Sequence, residues 1–212
     1  MLWIILGILI SYLIGSIPTA YVFGRLLKGI DIRNFGSGNV GATNAFRVLG
    51  RGSGIAVLVL DILKGFVAVV FLGNVVVSKV TFMPQETLRL ILGLSCISGH
   101  NWTIFLRFKG GKGIATTFGV LWGLSIKIAS LKLILGLLIL TWILIFVIVR
   151  IVSVASVLSG IALPVYTIIF KESNALILLS VLLCIFVILR HKSNLKRVFQ
   201  GKEPRLTFKR SA

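Results

Sequence analysis

The sequence predicts an all-α, polytopic membrane protein of about seven transmembrane helices, with its amino terminus outside and its carboxyl terminus in the cytoplasm. Three observations predict it. Of 212 residues, 57% are hydrophobic and only 13% charged, with a mean hydropathy of +1.06, whereas a soluble globule carries roughly 45–50% apolar residues. The apolar residues fall in runs near 2–24, 54–78, 88–106, 114–131, 133–149, 151–170 and 174–189, and about 20 such residues cross a hydrocarbon core. Most of the 23 Lys and Arg lie between these runs on one alternate side, and cation excess marks the cytoplasmic side.

Each run has its own reading. The first, Leu2 to Gly24, lacks a charged segment before it and exceeds the core of a signal peptide, so it is a retained helix. The second carries Asp61 and Lys64 one helical turn apart, and a structural ion pair near the cytoplasmic interface is favoured over a catalytic role. The third holds His100, for which helix packing through a hydrogen bond competes evenly with catalysis. The fourth is the weakest. Its uninterrupted part, Ile114 to Ile126, stops at Lys127, so either that lysine snorkels or the segment is re-entrant. The last three runs are continuous. Cys96 and Cys184 lie inside runs, which suits buried thiols and gives no disulfide or zinc framework.

The cations of one side are Arg25, Lys28, Arg33, Arg47 and Arg51, then Arg107, Lys109 and Lys112, then Arg150, then those of the tail from Arg190. Lys79, Arg89, Lys127, Lys132 and Lys171 oppose them. The formal charge of +18 is therefore a topology signal and implies no nucleic-acid partner. It also gathers three unusual segments at the cytoplasmic face: residues 25–51, residues 107–113, and the basic tail 190–212.

The first segment contains Phe35-Gly-Ser37-Gly38-Asn39-Val-Gly-Ala-Thr43-Asn44-Ala-Phe-Arg47. Glycines let backbone amides converge on an anion. Ser37, Asn39, Thr43 and Asn44 add neutral donors, and Arg47 can grip a phosphate through two parallel hydrogen bonds. A flexible connector has no need of that density. The match to a dinucleotide fingerprint at Gly36–Gly41 is rejected, because a membrane helix rather than a strand precedes it.

The second segment ends Phe108-Lys109-Gly110-Gly111-Lys112-Gly113. Gly113 stands where a Walker loop needs Ser or Thr, so the pattern implies a phosphate cradle without nucleotide specificity. Orientation of the helices alone accounts for Arg107 and Lys109 but poorly for Gly-Gly-Lys-Gly. The third segment opens Arg190-His191-Lys-Ser-Asn194 and reaches Glu203. If the last helix extends one turn, His191 and Asn194 share a face at i, i+3, where an imidazole suits proton transfer or phosphate binding. Lipid attraction suffices for Lys209 and Arg210.

Together the motifs Gly-Ser-Gly-Asn-x-Gly-Ala-Thr-Asn, Phe-Lys-Gly-Gly-Lys-Gly and His-x-x-Asn with a later Glu resemble the acyl-phosphate:glycerol-3-phosphate acyltransferases of bacterial membranes, the PlsY family. The resemblance covers essentially the whole chain as a single domain. It implies acyl transfer from acyl phosphate to the 1-hydroxyl of glycerol 3-phosphate, giving lysophosphatidic acid at the cytoplasmic face of the inner membrane. It implies no cofactor and no metal, membrane lipids as surroundings, and functional coupling to the enzyme that makes acyl phosphate.

Carried over by motif, Ser37, Arg47, His191 and Asn194 are catalytic. Gly38, Asn39, Thr43, Asn44, Lys109, Gly110, Gly111, Lys112 and Gly113 bind substrate, and Glu203 is structural. His191 and a substrate phosphate oxygen are both candidates for the general base. Val40 stands where many members have Pro, which removes no functional group. The His and Asp four residues apart that serve thioester-dependent acyltransferases of this pathway are missing, since Phe105 and Lys196 occupy the Asp positions after His100 and His191. An anion transporter is the rival reading, but it predicts midplane polar groups and an internal repeat. A purely structural membrane protein leaves the first segment unexplained.

Overall fold

The computed structural model describes residues 1–205, which fall into two compact units, Met1–Ala129 and Ser130 onward. Lys209 and Arg210 lie outside the described residues. All regular structure among the described residues is helical, as the composition predicts. Among the described residues, four helical stretches are long and apolar enough to cross a membrane: Leu2–Lys28, Arg51–Val77, Ser130–Val149 and Val152–Ile169. A bent pair at Asn174–Phe199 makes a fifth if it counts as one span. These are fewer than the seven apolar runs, for local reasons that follow.

In the first unit, run one divides into α1 (Leu2–Ser16) and α2 (Thr19–Lys28), because Pro18 removes an amide donor and biases Ile17 away from helical backbone. After a short turn at Ile32–Asn34 come α3 (Ala42–Leu49) and α4 (Arg51–Val67). A π-helical turn at Ala68–Leu72 links α4 to α5 (Gly73–Val77). Such a turn displaces backbone carbonyls, and Arg89 takes them up: its guanidinium donates to Val69 O at 2.6 Å and to Asn74 Oδ1 at 2.6 Å. Arg89 is thus a buried tether in α6 (Gln85–Asn101), not the free loop cation of the topology count.

The last helix of this unit, α7 (Ile114–Ser125), has only 12 residues. At about 1.5 Å per residue it covers roughly 18 Å, short of a ~30 Å core.

The helices of this unit meet through small residues. A Cβ on Gly15 would fall on the carbonyl oxygen of Cys96, one on Gly99 on that of Tyr12, and one on Gly119 on that of Ile62. Hydroxyls reinforce the α1–α6 seam: Ser11 donates to Leu92 O at 2.6 Å and Ser95 to Ile8 O at 2.8 Å. In a lipid solvent, where hydrophobic burial does not drive helix association, close packing and such hydrogen bonds hold helices together.

The second unit contains α8 (Ser130–Val149), α9 (Val152–Ile169), α10 (Asn174–Arg190) and α11 (Lys192–Phe199). Pro164 lies inside α9, and the Thr167 hydroxyl accompanies it, donating to Pro164 O at 3.0 Å. The axis turns by 58° between α10 and α11. The expected one-turn extension of the last helix is therefore corrected to a break at His191. Its ring Nδ1 lies 2.8 Å from Val187 O, so the side chain folds back onto α10. Cys96 is buried as expected, whereas Cys184 is only half-buried.

Candidate active site

The first segment is shaped by Asn44. Its carboxamide oxygen accepts the Ser37 amide at 2.8 Å, while its nitrogen donates to Phe35 O at 3.1 Å and Ile32 O at 3.3 Å. Asn44 is buried, so in place of the expected contact with substrate it clamps the loop from within. Gly36 is required within the clamp: its φ is +60°, and a Cβ would fall on the Asn44 oxygen. Ser37 and Gly38 are left exposed at the tip, with Asn39 and Thr43 half-buried beside them.

The loop runs through Gly41 into α3, whose N-terminus has no side-chain cap. Arg47 follows on the same helix one turn after Thr43, exposed and without a protein partner among the described residues.

Nearby cations behave differently. Asp31 accepts both Nε and Nη2 of Arg33, at 2.9 and 2.6 Å, and Arg25 approaches it at 3.7 Å. The Arg33 hydrogen bonds hold the Asp31 carboxyl down at about 2. Both guanidiniums also lie 5.3 Å from the Tyr21 ring centroid. One acid thus occupies two arginines and leaves Arg47 available.

The second segment is moulded on the end of α6. The amides of Gly110 and Gly111 donate to the carbonyls of Asn101 and His100 at 3.2 and 3.0 Å. Gly113, at φ +78°, turns the chain into α7 without a side-chain cap. Lys112 is half-buried, while Lys109 and Arg107 are exposed. Arg107 and Phe108 both adopt left-handed backbone, with φ of 53° and 60°, a strain that persists only where surrounding structure enforces it. Beneath the turn the Asn101 carboxamide and the Thr116 hydroxyl are fully buried with no hydrogen-bond partner among the described residues.

The two segments share a foundation. Ile32, Val40 and Ala45 of the first pack with Leu106 of the second, on Ala20 and Val57. Val40 therefore fills the core beneath the loop. Above, Tyr21, Arg33, Phe105, Arg107 and Lys109 line an open cleft of about 430 Å³. What results is a cationic surface with an apolar edge.

In the second unit, His191 and Asn194 are buried at the α10–α11 break. Glu203 ties that corner: Arg197 donates to it at 2.7 Å and Ser153 of α9 at 2.9 Å, and Asn194 Nδ2 makes a further short bond. Burial would raise the Glu203 carboxyl, but the three donors outweigh it and its pKa is lowered.

Sequence reasoning missed the clamp by Asn44, the unpartnered Asn101 and Thr116, and the pairing of Asp31. It anticipated an ion pair within α4, and Lys64 Nζ does lie 2.7 Å from Asp61 Oδ1. The pair is larger than expected, because Lys64 also reaches His100 Nδ1 at 2.7 Å and Thr19 donates to Asp61 at 2.5 Å.

The family model described as glycerol-3-phosphate acyltransferase matches residues 5–201. A glycerol-3-phosphate acyltransferase of Chlorobium phaeovibrioides is 37% identical, with all of both chains covered. One from Staphylococcus aureus (strain bovine RF122 / ET3-1) is 41% identical over 96% of this chain and 98% of the relative. Among solved structures, the glycerol 3-phosphate form of PlsY (YgiH), an integral membrane glycerol 3-phosphate acyltransferase, superposes with a TM-score of 0.84. The identity there is 33%, and 96% of each chain is covered. The lysophosphatidic acid form gives a TM-score of 0.81 at 32% identity, covering 96% of this chain and 95% of that one.

Proposed function

The chain belongs to the glycerol-3-phosphate acyltransferase family, and from that premise we propose that it transfers an acyl group from acyl phosphate to the 1-hydroxyl of glycerol 3-phosphate, giving lysophosphatidic acid and inorganic phosphate. The observation that carries the choice of donor is the pairing of two glycine-rich, cation-bearing segments on one apolar foundation, which suits two phosphate groups. In the reaction the 1-hydroxyl oxygen bonds to the acyl carbon while the carbonyl–oxygen–phosphorus bridge breaks at carbon. The bridging oxygen leaves on phosphate with the electron pair, and the hydroxyl proton passes to His191 or to a phosphate oxygen. An acyl phosphate is a mixed anhydride with a good leaving group, so positioning and electrostatic stabilisation suffice without a covalent enzyme intermediate.

In this reading Ser37, Arg47, Gly38, Asn39, Thr43 and the first amides of α3 meet one phosphate, with Asn44 shaping their loop. Lys109, Lys112 and the Gly110–Gly113 turn meet the other. His191 and Asn194 keep the roles their motif implies, with Glu203 holding them, and the chain is read as a single acyltransferase domain. The chain crosses a bacterial inner membrane about seven times if α6 and the short α7 are counted beside the four or five longer stretches, amino terminus outside and carboxyl terminus inside, with the site on the cytoplasmic face. The donor then arrives from the enzyme that makes acyl phosphate.

Purified protein should form lysophosphatidic acid from palmitoyl phosphate and glycerol 3-phosphate, and palmitoyl-CoA should fail to replace the donor. Comparable rates with the thioester would defeat the choice of donor. For topology, cysteines introduced at the exposed Ser37 and Lys109 should resist an impermeant thiol reagent added outside intact cells, and ready labelling would reverse the orientation.

A further inference from the structure

Three helices, α2, α4 and α6, and the link between α1 and α2 contribute to a polar cluster that the proposed chemistry does not use. Lys64 of α4 is buried and its ammonium has three neighbours: Asp61 Oδ1 at 2.7 Å, His100 Nδ1 at 2.7 Å and Ile17 O at 3.2 Å. Asp61 in turn accepts the Thr19 hydroxyl of α2 at 2.5 Å and lies 3.7 Å from His100 Nδ1. An ammonium has only donors to give, so the ring nitrogen facing it accepts. The His100 proton therefore sits on Nε2. That edge of the ring lies against Gly111, where an added Cβ would strike Nε2, and the His100 carbonyl receives the Gly111 amide at 3.0 Å.

Ionisable groups inside membrane spans are costly and are retained for a purpose. A simple helix staple needs only Asp61 and Lys64. It does not need a histidine whose far edge supports the Gly110–Gly113 turn.

We propose that Asp61, Lys64 and His100 form a positioning chain for that turn: Lys64 fixes the imidazole as an Nε2–H donor, and the imidazole holds Gly111 so that Lys112 and the amides after it face the substrate. The inference rests on the acyltransferase reading for what the turn binds, which is the phosphate of glycerol 3-phosphate. These are positioning residues, since they act through Gly111 and not on the reacting atoms.

Two measurements test the chain separately from the reaction. The protein has only two histidines, so imidazole 15N labelling of the detergent-solubilised protein, with His191→Gln for assignment, reads the His100 tautomer directly. The Nε2–H form is expected at neutral pH, and an Nδ1–H form or an imidazolium overturns the proposal whether or not acyl transfer is observed.

Kinetically, Gln at position 100 places an N–H donor near the Nε2 position, while Asn places a polar group near Nδ1 and nothing near Gly111. His100→Asn should raise KM for glycerol 3-phosphate about tenfold, with KM for acyl phosphate and the thermal midpoint changed far less. His100→Gln should stay within about threefold of wild type. Equal effects of the two, or a loss of kcat that merely follows a fallen midpoint, overturns the chain. Should His100→Asn not be recovered folded, Thr19→Val carries this arm: a severalfold rise in the same KM supports the proposal and an unchanged one sinks it. If wild type itself fails to use acyl phosphate and glycerol 3-phosphate, the proposed function falls while the tautomer result stands.

Discussion

The two units hold their functional candidates by different means. In Met1–Ala129, helices approach until glycine meets backbone: Gly15 on Cys96, Gly99 on Tyr12, Gly65 on Thr116 and Gly119 on Ile62. In the second unit Gly136 has open space around it and Gly160 only touches the Val187 side chain. The contrast follows what each unit presents. A cradle built largely of amides is only as exact as the spacing of the main chains that carry it, and glycine contacts fix that spacing with no rotamers between. The roles proposed for His191 and Asn194 are side-chain roles, and a tether at Glu203 can hold that corner without close backbone contact.

The sharpest way to break the comparison is to add bulk to matched helical glycines. Gly119→Val should cost about 3 kcal/mol of stability, the upper end for an overpacked interior, whereas Gly136→Val should leave the thermal midpoint in detergent within error. Equal midpoints for the two would remove the distinction between the units. Next in size, Arg47→Ala and Lys112→Ala should each lower kcat/KM by roughly tenfold to several hundredfold, about one to a few kcal/mol of barrier, with the fold intact by circular dichroism. Wild-type turnover in both would take the amide-and-cation cradle out of the mechanism.

The smallest effect belongs to the tether. Glu203→Gln should cost about 1 kcal/mol once solvent screening of the half-exposed Arg197 is allowed for. The sign of its pH dependence follows from the lowered carboxyl. The tether contributes fully above the ordinary value of 4.5 and is lost as pH falls through the lower folded value. Thermal midpoints of wild type and variant should therefore converge on acidification, and a gap that widens towards acid would contradict the assignment.

Much of this was legible in the chain. Apolar runs give helices, and glycine density beside Ser37 and Lys112 marks the tight turns at Gly36, Gly38 and Gly113, because both signals are local. What was not legible depends on neighbours distant in sequence. Nothing near Arg89 tells that a π-helical turn follows α4, with carbonyls for it to satisfy. Asn44 reads as a ligand donor until Ile32, Phe35 and Ser37 are seen around its carboxamide. The His100–Lys64 contact joins positions 36 apart, beyond the reach of any helical period. The one-turn extension that would put His191 and Asn194 on one face gives way to a break at His191, whose ring bonds back to Val187.

The seam between α1 and α6 has a consequence for the order in which the molecule is made. Ser11 finds its acceptor at Leu92, 81 residues later, and the Ser95 hydroxyl donates back across 87 residues to Ile8. At roughly 5–20 residues per second, synthesis leaves an interval of about 4–16 s between the two halves of that seam. Throughout it α1 has emerged with Gly7, Ser11, Gly15 and Ser16 on a face that no helix yet covers. Residence of that weakly polar stripe at the insertion machinery, rather than among lipids, until α6 arrives would spare it from pairing with small-residue stripes on other nascent chains.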